Sequence, residues 1–142
     1  MKNGWIVFLS IVFLSSLVFA CFLHAEPTAE KAALTSSVAW LALVDGGKYS
    51  QTWDQAAEYF KNAITREQWI ASLKAARTPL GKVVVRKIKS KKYARSLPGA
   101  PDGEYVVIQY ETQFEKKKSA IETVTPMLDK DGQWRVSGYY IK

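Results

Sequence analysis

Residues 104–114 have the sequence EYVVIQYETQF, in which apolar and polar side chains alternate towards the end. Successive side chains of a β-strand point to opposite faces of the sheet. One face of this stretch would carry Val106, Ile108, Tyr110, Thr112 and Phe114, and the other Tyr105, Val107, Gln109, Glu111 and Gln113. The second face is the more polar one. The stretch therefore predicts a long strand with one side on a core and the other in water.

Three further segments have the same extended character. Residues 83–89 are β-branched and basic, and residues 91–97 can prolong that strand after a bend. Residues 119–128 form another candidate strand. A turn with the sequence DKDG separates it from residues 133–141, in which Gly138 marks a bulge or bend. The C-terminal half of the chain thus predicts about four antiparallel strands.

Before these strands, apolar residues recur at helical spacing and predict three helices. The first covers residues 28–44 and ends at a pair of glycines, and the second starts from a cap at Ser50 and runs to Ile64. The third begins with a capping box formed by Thr65 and Gln68. The apolar stripes of the three helices are predicted to enter the core, and they include Leu34, Val38, Leu41, Trp53, Phe60, Trp69 and Leu73.

The order of elements predicts an α+β fold in which three N-terminal helices pack on a curved antiparallel sheet of about four strands. Residues 26–142 are 117 residues, a length that suits one domain with one core. We therefore expect two parts, a signal peptide at residues 1–25 and a single domain after it.

The first twenty-five residues have the pattern of a secretory signal peptide, with Lys2, an apolar run and the small Ala25 before Glu26. Cleavage between Ala25 and Glu26 is favoured because signal peptidases accept small residues. Two alternatives stay open. Acylation of Cys21 would give a lipid-anchored protein, and retention of the apolar run would give a membrane anchor. All three place the rest of the chain in the periplasm or outside the cell.

The chain has 20 Lys and Arg against 13 Asp and Glu, which gives a formal net charge of +7 at pH 7. Much of the positive charge lies between Lys82 and Arg95. Outside the cytoplasm such a segment would attract anionic envelope components, or a protein partner, rather than nucleic acid. The alternative is a solvated strand whose charges are divided between two faces and attract anionic surfaces only weakly.

Catalytic chemistry has few candidates. The only His and the only Cys are His24 and Cys21, both in the predicted signal peptide. Triads need an imidazole and zinc needs His or Cys ligands, so the sequence predicts no catalytic triad, no metal site and no cofactor. Among the polar residues of the strands, Glu111, Arg135 and Tyr139 are the candidates for a pocket or binding site. The alternative is that they form cross-strand pairs on a solvated sheet face.

Several stretches resemble a family of exported bacterial proteins, the domain of unknown function 4019. The resemblance lies in residues 38–41, in the capping sequence followed by Trp69, in the loop LPGAPDGEY at 97–105, and in WRVSGYY at 134–140. The order of elements is also similar to the cystatin-like and nuclear-transport-factor-2-like superfamily, where a bent sheet wraps helices into a cone. The resemblance implies this fold and an exported location. It implies no activity, because the family has none assigned.

These observations predict an exported cell-envelope protein that acts in binding or assembly and not in catalysis. Two alternatives stay open. A small-ligand carrier would use the interior of the cone. A lyase-like or isomerase-like enzyme would use Glu111 with Tyr139, because related cone-shaped folds can use a carboxylate as base and a tyrosine as oxyanion donor. Under the non-enzymatic interpretation we expect Glu111 to be exposed or paired with a basic residue.

Overall fold

The computed structural model describes residues 25–142. Its helices and strands follow in the order α1 (Ala25–Asp45), α2 (Tyr49–Asp54), α3 (Glu58–Ala63), α4 (Arg66–Arg77), β1 (Val83–Ala94), β2 (Tyr105–Phe114), β3 (Lys117–Leu128) and β4 (Trp134–Ile141). The predicted signal segment up to residue 24, with Cys21, lies outside the described residues. Ala25 and Glu26, which flank the predicted cleavage site, are the first residues of α1. Within the described part, none of the helices is both long and apolar enough to cross a membrane.

The four strands form one antiparallel sheet in the order β1-β2-β3-β4. The predicted α+β class with a four-stranded sheet is thereby confirmed. The irregularity predicted near Gly138 is a bulge: Thr125 pairs with Gly138 and Pro126 pairs with Val136, which leaves Ser137 without a partner in the register. Register shifts also occur between β1 and β2 and between β2 and β3. Because bulges bend strands, these positions are where we expect the sheet to curve.

The end of α1 is fixed by a Schellman motif. The N–H of Lys48 donates to the carbonyl of Leu43 at 2.9 Å, and the N–H of Gly47 donates to the carbonyl of Val44 at 3.0 Å. Gly47 has a φ of +71°, a conformation that glycine adopts without a steric penalty. The predicted glycine end of the first helix is confirmed, and the motif places Asp45 in the last turn.

The single predicted second helix is wrong, because α2 and α3 are separate. Ala57, between them, is fully buried in an extended conformation with φ −61° and ψ 151°. Its N–H donates to the carbonyl of Val136 on β4 at 2.8 Å, so it cannot also donate to the preceding helical turn. The predicted Ser50 cap is also wrong. The N-cap position of α2 is Lys48, which makes no side-chain capping hydrogen bond.

The capping box of α4 is confirmed. Thr65 Oγ1 accepts the backbone N–H of Gln68 at 3.2 Å, and Gln68 Oε1 accepts the backbone N–H of Thr65, also at 3.2 Å. Both donors would otherwise have no partner at the helix end. The start of α4 is therefore defined by its own sequence.

Aromatic rings pack the interface between the helices and the sheet. The ring centroid of Trp40 lies 6.1 Å from that of Trp69 and 5.3 Å from that of Tyr139. Phe60 meets Trp69 edge to face at 4.8 Å. These rings join one buried cluster with residues of β2, β3 and β4. Val38, predicted to enter this core, is 55% exposed instead, so that part of the predicted stripe is wrong.

Candidate functional site

A buried carboxylate, Glu122 on β3, lies in the sheet between Tyr110 of β2 and Ile141 of β4. It is 0% exposed and receives four hydrogen bonds. Oε1 accepts Thr112 Oγ1 at 2.6 Å and Arg86 Nε at 2.8 Å. Oε2 accepts Tyr139 Oη at 2.5 Å and Arg86 Nη2 at 3.2 Å. A carboxylate offers about four lone-pair positions, so both oxygens of Glu122 are fully occupied.

Arg86 connects this carboxylate to a second one at the end of α1. Its Nη1 donates to Asp45 Oδ2 at 2.6 Å and its Nη2 donates to Asp45 Oδ1 at 3.0 Å. Arg77 on α4 donates to the same Asp45 Oδ1 with both Nη atoms, each at 3.1 Å. Two guanidinium groups therefore balance two carboxylates. We call the residues Asp45, Arg77, Arg86, Thr112, Glu122 and Tyr139 the polar network.

The position of Asp45 explains why two arginines meet there. A carboxylate in the last turn of a helix is unfavourable, because the exposed carbonyl groups give that end a partial negative charge. The last turn of α1 has no basic residue of its own. Arg77 and Arg86 reach Asp45 from α4 and β1 and supply the missing positive charge. Arg77 also stacks over the ring of Phe114, with its Cζ 5.0 Å from the centroid.

The pKa values in the polar network follow from burial and from these pairs. Burial alone would raise the pKa of Asp45, but hydrogen bonds and charge from Arg86 and Arg77 lower it below 3.8. Burial, with the adjacent carboxylate of Glu122, raises the pKa of Tyr139 well above its usual value of 10. Tyr139 therefore stays protonated at neutral pH and donates its proton to a hydrogen bond. These pKa shifts keep Asp45 ionised and Tyr139 protonated at neutral pH.

The three predicted site residues lie in different surroundings. Glu111 is exposed, with its side chain 63% accessible and Lys89 Nζ 3.9 Å away, as expected for the non-enzymatic interpretation. Arg135 lies near the β3–β4 turn and donates to Asp129 at 2.9 Å and Asp131 at 2.8 Å. Only Tyr139 belongs to the polar network. The three residues do not form one site.

Open grooves lie at the surface of the described domain. One, between α1 and the β3–β4 turn, has a volume of about 880 Å³ and includes Lys31, Ser36, Trp40, Gln55, Gln133 and Trp134 in its lining; we call it the α1 groove. A smaller one of about 410 Å³ lies between α4 and the end of β4. Within residues 25–142, no three His, Cys, Asp or Glu side chains are grouped in a way that could hold a metal ion.

Comparison with known proteins assigns the family. The sequence profile described as "Protein of unknown function (DUF4019)" matches residues 36–139, which is more than half of the chain. The chain belongs to the DUF4019 family. A search among curated proteins returned no match. The similarity to the cystatin-like and nuclear-transport-factor-2-like superfamily stays a prediction.

All members of the polar network lie within the part of the chain that the DUF4019 profile matches. Glu122, Arg86, Asp45 and Arg77 were not among the predicted site residues. Glu122 lies opposite Tyr110, a residue predicted to face the core, but this register exists only in the folded sheet. Nothing in the sequence indicated the partners of Glu122, because Arg86 is 36 residues away along the chain and Tyr139 is 17 residues away.

The lowered pKa of Asp45 predicts a loss of stability in acid. The unfolded chain takes up this proton near the usual pKa of 3.8, whereas the folded DUF4019 domain takes it up at lower pH. The stabilising contribution is therefore complete above pH 3.8 and is lost as the pH falls through the folded pKa. Urea unfolding of the wild type and of Asp45→Asn across this pH range should show a shallower decline for the variant.

The control for this measurement is Asp102→Asn, a carboxylate on the exposed β1–β2 loop and outside the network. Its acid decline should match that of the wild type. Equal declines for the wild type and for Asp45→Asn would contradict the assignment of Asp45 to a stabilising ion pair.

Proposed function

We propose that this DUF4019 protein is an exported, non-enzymatic binding or assembly module of the cell envelope, with residues 26–142 as its mature domain. The observation that carries the proposal is the full occupation of Glu122. A general base must have a free lone pair that can accept a proton from a substrate. Both oxygens of Glu122 are occupied by Arg86, Thr112 and Tyr139. Glu122, the most deeply buried carboxylate of the described residues, therefore accepts hydrogen bonds only from within the fold.

The position of the other candidate carboxylate supports the same proposal. Glu111 faces solvent, and a catalytic carboxylate usually needs an enclosed site that tunes its pKa. The aromatic core between the helices and the sheet also favours a binding module over a carrier that would use the interior. Binding would then take place on the outer surface, where the open grooves lie.

Export is supported by the signal-like residues 1–25, and it gives a direct prediction. When the full chain is expressed in bacteria, its product should accumulate outside the cytoplasm and begin at Glu26, because Ala25 is the small residue before the cleavage site. Cell fractionation followed by intact mass and N-terminal sequencing measures both properties.

Two variants separate the alternatives for export. Replacing the small residue in Ala25→Tyr should leave an uncleaved form, whereas Cys21→Ser should be processed like the wild type. A product acylated at Cys21 would contradict the cleavage site and place the protein on a lipid anchor. A full-length cytoplasmic product would contradict export itself.

A further inference from the structure

Two of the three charged side chains that line the α1 groove, those of Asp54 and Arg135, are paired within the protein. Asp54 forms an ion pair with Arg66. Arg135 is held by Asp129 and Asp131 at 2.9 and 2.8 Å. Lys31 is the lining cation for which residues 25–142 provide no ion pair. A groove with so little unpaired charge is suited to an uncharged ligand.

Trp134, which lines this groove, differs from three other tryptophans in its hydrogen bonding. Trp40 donates its indole N–H to Thr52 O at 2.9 Å, and Trp53 donates to Ile64 O at 3.0 Å. Trp69 donates to Thr52 Oγ1 at 2.8 Å. The indole N–H of Trp134 has no acceptor among residues 25–142. Trp134 is half-buried, with one part of its side chain packed against the core cluster and another part lining the groove.

Neutral hydrogen-bonding side chains surround Trp134. Gln55, Gln133 and Ser36 line the groove, and their side chains have no hydrogen-bond partner within the described part of the chain. Each amide offers two donors and one acceptor, and the serine hydroxyl offers both. Ala32 and Ala39 also line the groove and add small apolar side chains. The groove therefore combines an aromatic surface with uncharged polar groups.

We propose that the α1 groove binds an uncharged oligosaccharide. A sugar ring has an apolar C–H face that packs on an aromatic ring and a rim of hydroxyls that both donate and accept hydrogen bonds. Trp134 matches the first feature, and Gln55, Gln133 and Ser36 match the second. The volume of about 880 Å³ lies in the range of ligand pockets. This inference rests on the proposed role as a binding module.

The test uses the full chain in the form that accumulates on expression. The protein is titrated with sugar, and NMR follows the indole N–H resonances of its tryptophans. Two probes distinguish the possible sources, a tetramer of N-acetylglucosamine for wall-type glycans and cellotetraose for glucans. Either probe should shift the Trp134 resonance saturably, while the Trp53 resonance stays unchanged. The shift should persist at high salt, because an uncharged sugar forms no ion pair that salt could screen.

A pair of matched variants tests the contacts. Trp134→Phe keeps an aromatic ring but removes the N–H, so the dissociation constant should rise about three- to tenfold, as expected for one hydrogen bond. Trp53→Phe is the same chemical change at a half-buried tryptophan outside the groove lining and should leave the dissociation constant unchanged. Gln133→Ala, at an exposed position, should also weaken binding without affecting folding.

The proposal is overturned if neither tetramer shifts the Trp134 resonance, or if all indole resonances shift together. It is also overturned if an anionic polymer shifts Trp134 where the neutral sugars do not. Export of the protein without sugar binding would remove this inference and leave the proposed function intact. A cytoplasmic product would instead contradict the proposed function, whatever the groove binds.

Discussion

Replacing Glu122 with alanine is expected to lower the free energy of unfolding by about 3 to 5 kcal/mol, the usual cost of removing one partner of a buried ion pair. Glu122 is 0% exposed, so its removal leaves Arg86 with one carboxylate instead of two. The hydroxyls of Thr112 and Tyr139 also lose their acceptor. Buried donors without acceptors are costly because water cannot replace the lost partner.

The matched control is Glu111→Ala on the neighbouring strand. Glu111 is exposed and its nearest cation, Lys89 Nζ, is 3.9 Å away, so we expect a change of about 0.5 kcal/mol or less. Urea unfolding of the two variants and the wild type gives the comparison. Equal losses for Glu111→Ala and Glu122→Ala would contradict the structural role of the polar network.

A second variant keeps the test valid if Glu122→Ala does not fold. Glu122→Gln preserves the shape but places an amide NH₂ where an oxygen accepted two donors. It should therefore lose stability as well, although less than the alanine variant. A glutamine variant as stable as the wild type would show that the negative charge of Glu122 is dispensable for folding, and would contradict its structural role.

Much of the fold could be predicted because its signals are local. The capping box at Thr65, the glycine end of α1 and the alternation in β2 each depend on residues within a few positions of one another. Short-range signals of this kind act before any tertiary contact forms, so the sequence contains them directly. The four strands and the start of α4 were predicted within a few residues for this reason.

The break between α2 and α3 could not be predicted, because its cause is a tertiary contact. Ala56 and Ala57 are good helix formers, and the apolar spacing continues through them to Phe60. The helix breaks because the N–H of Ala57 donates to Val136, a residue far away in the sequence. A periodic pattern does not reveal that a backbone group is needed by a distant strand.

The polar network could not be predicted for a similar reason. On β3 the residues Ala120, Glu122 and Val124 share one face, and both faces of this strand mix polar with apolar side chains. The alternation therefore did not mark Glu122 as buried. Its partners come from β1, β2 and β4, so the network exists only after the sheet has assembled. Alternation in β2 did place Glu111 on the solvent face.

Replacing Trp69 with alanine should also be among the largest effects, with a loss of about 3 to 5 kcal/mol in the free energy of unfolding. Trp69 is 7% exposed and its ring contacts the rings of Trp40 and Phe60. Its indole N–H donates to Thr52 Oγ1 at 2.8 Å, and Thr52 is itself fully buried. The substitution therefore leaves a large cavity between α1, α2 and α4. It also removes the hydrogen bond that Thr52 Oγ1 accepts from the indole N–H.

The comparison for Trp69 lies four residues away, at the start of the same helix. Thr65→Ala removes the oxygen that caps Gln68 N–H, a contact on the surface, and should cost only about 1 kcal/mol. Trp69→Phe keeps an aromatic ring in place and should fall between the two alanine variants, because it mainly loses the bond to Thr52. Urea unfolding gives all three values. Equal losses for Thr65→Ala and Trp69→Ala would contradict the placement of this tryptophan at the centre of the core, and with it the packing of α4 against α1.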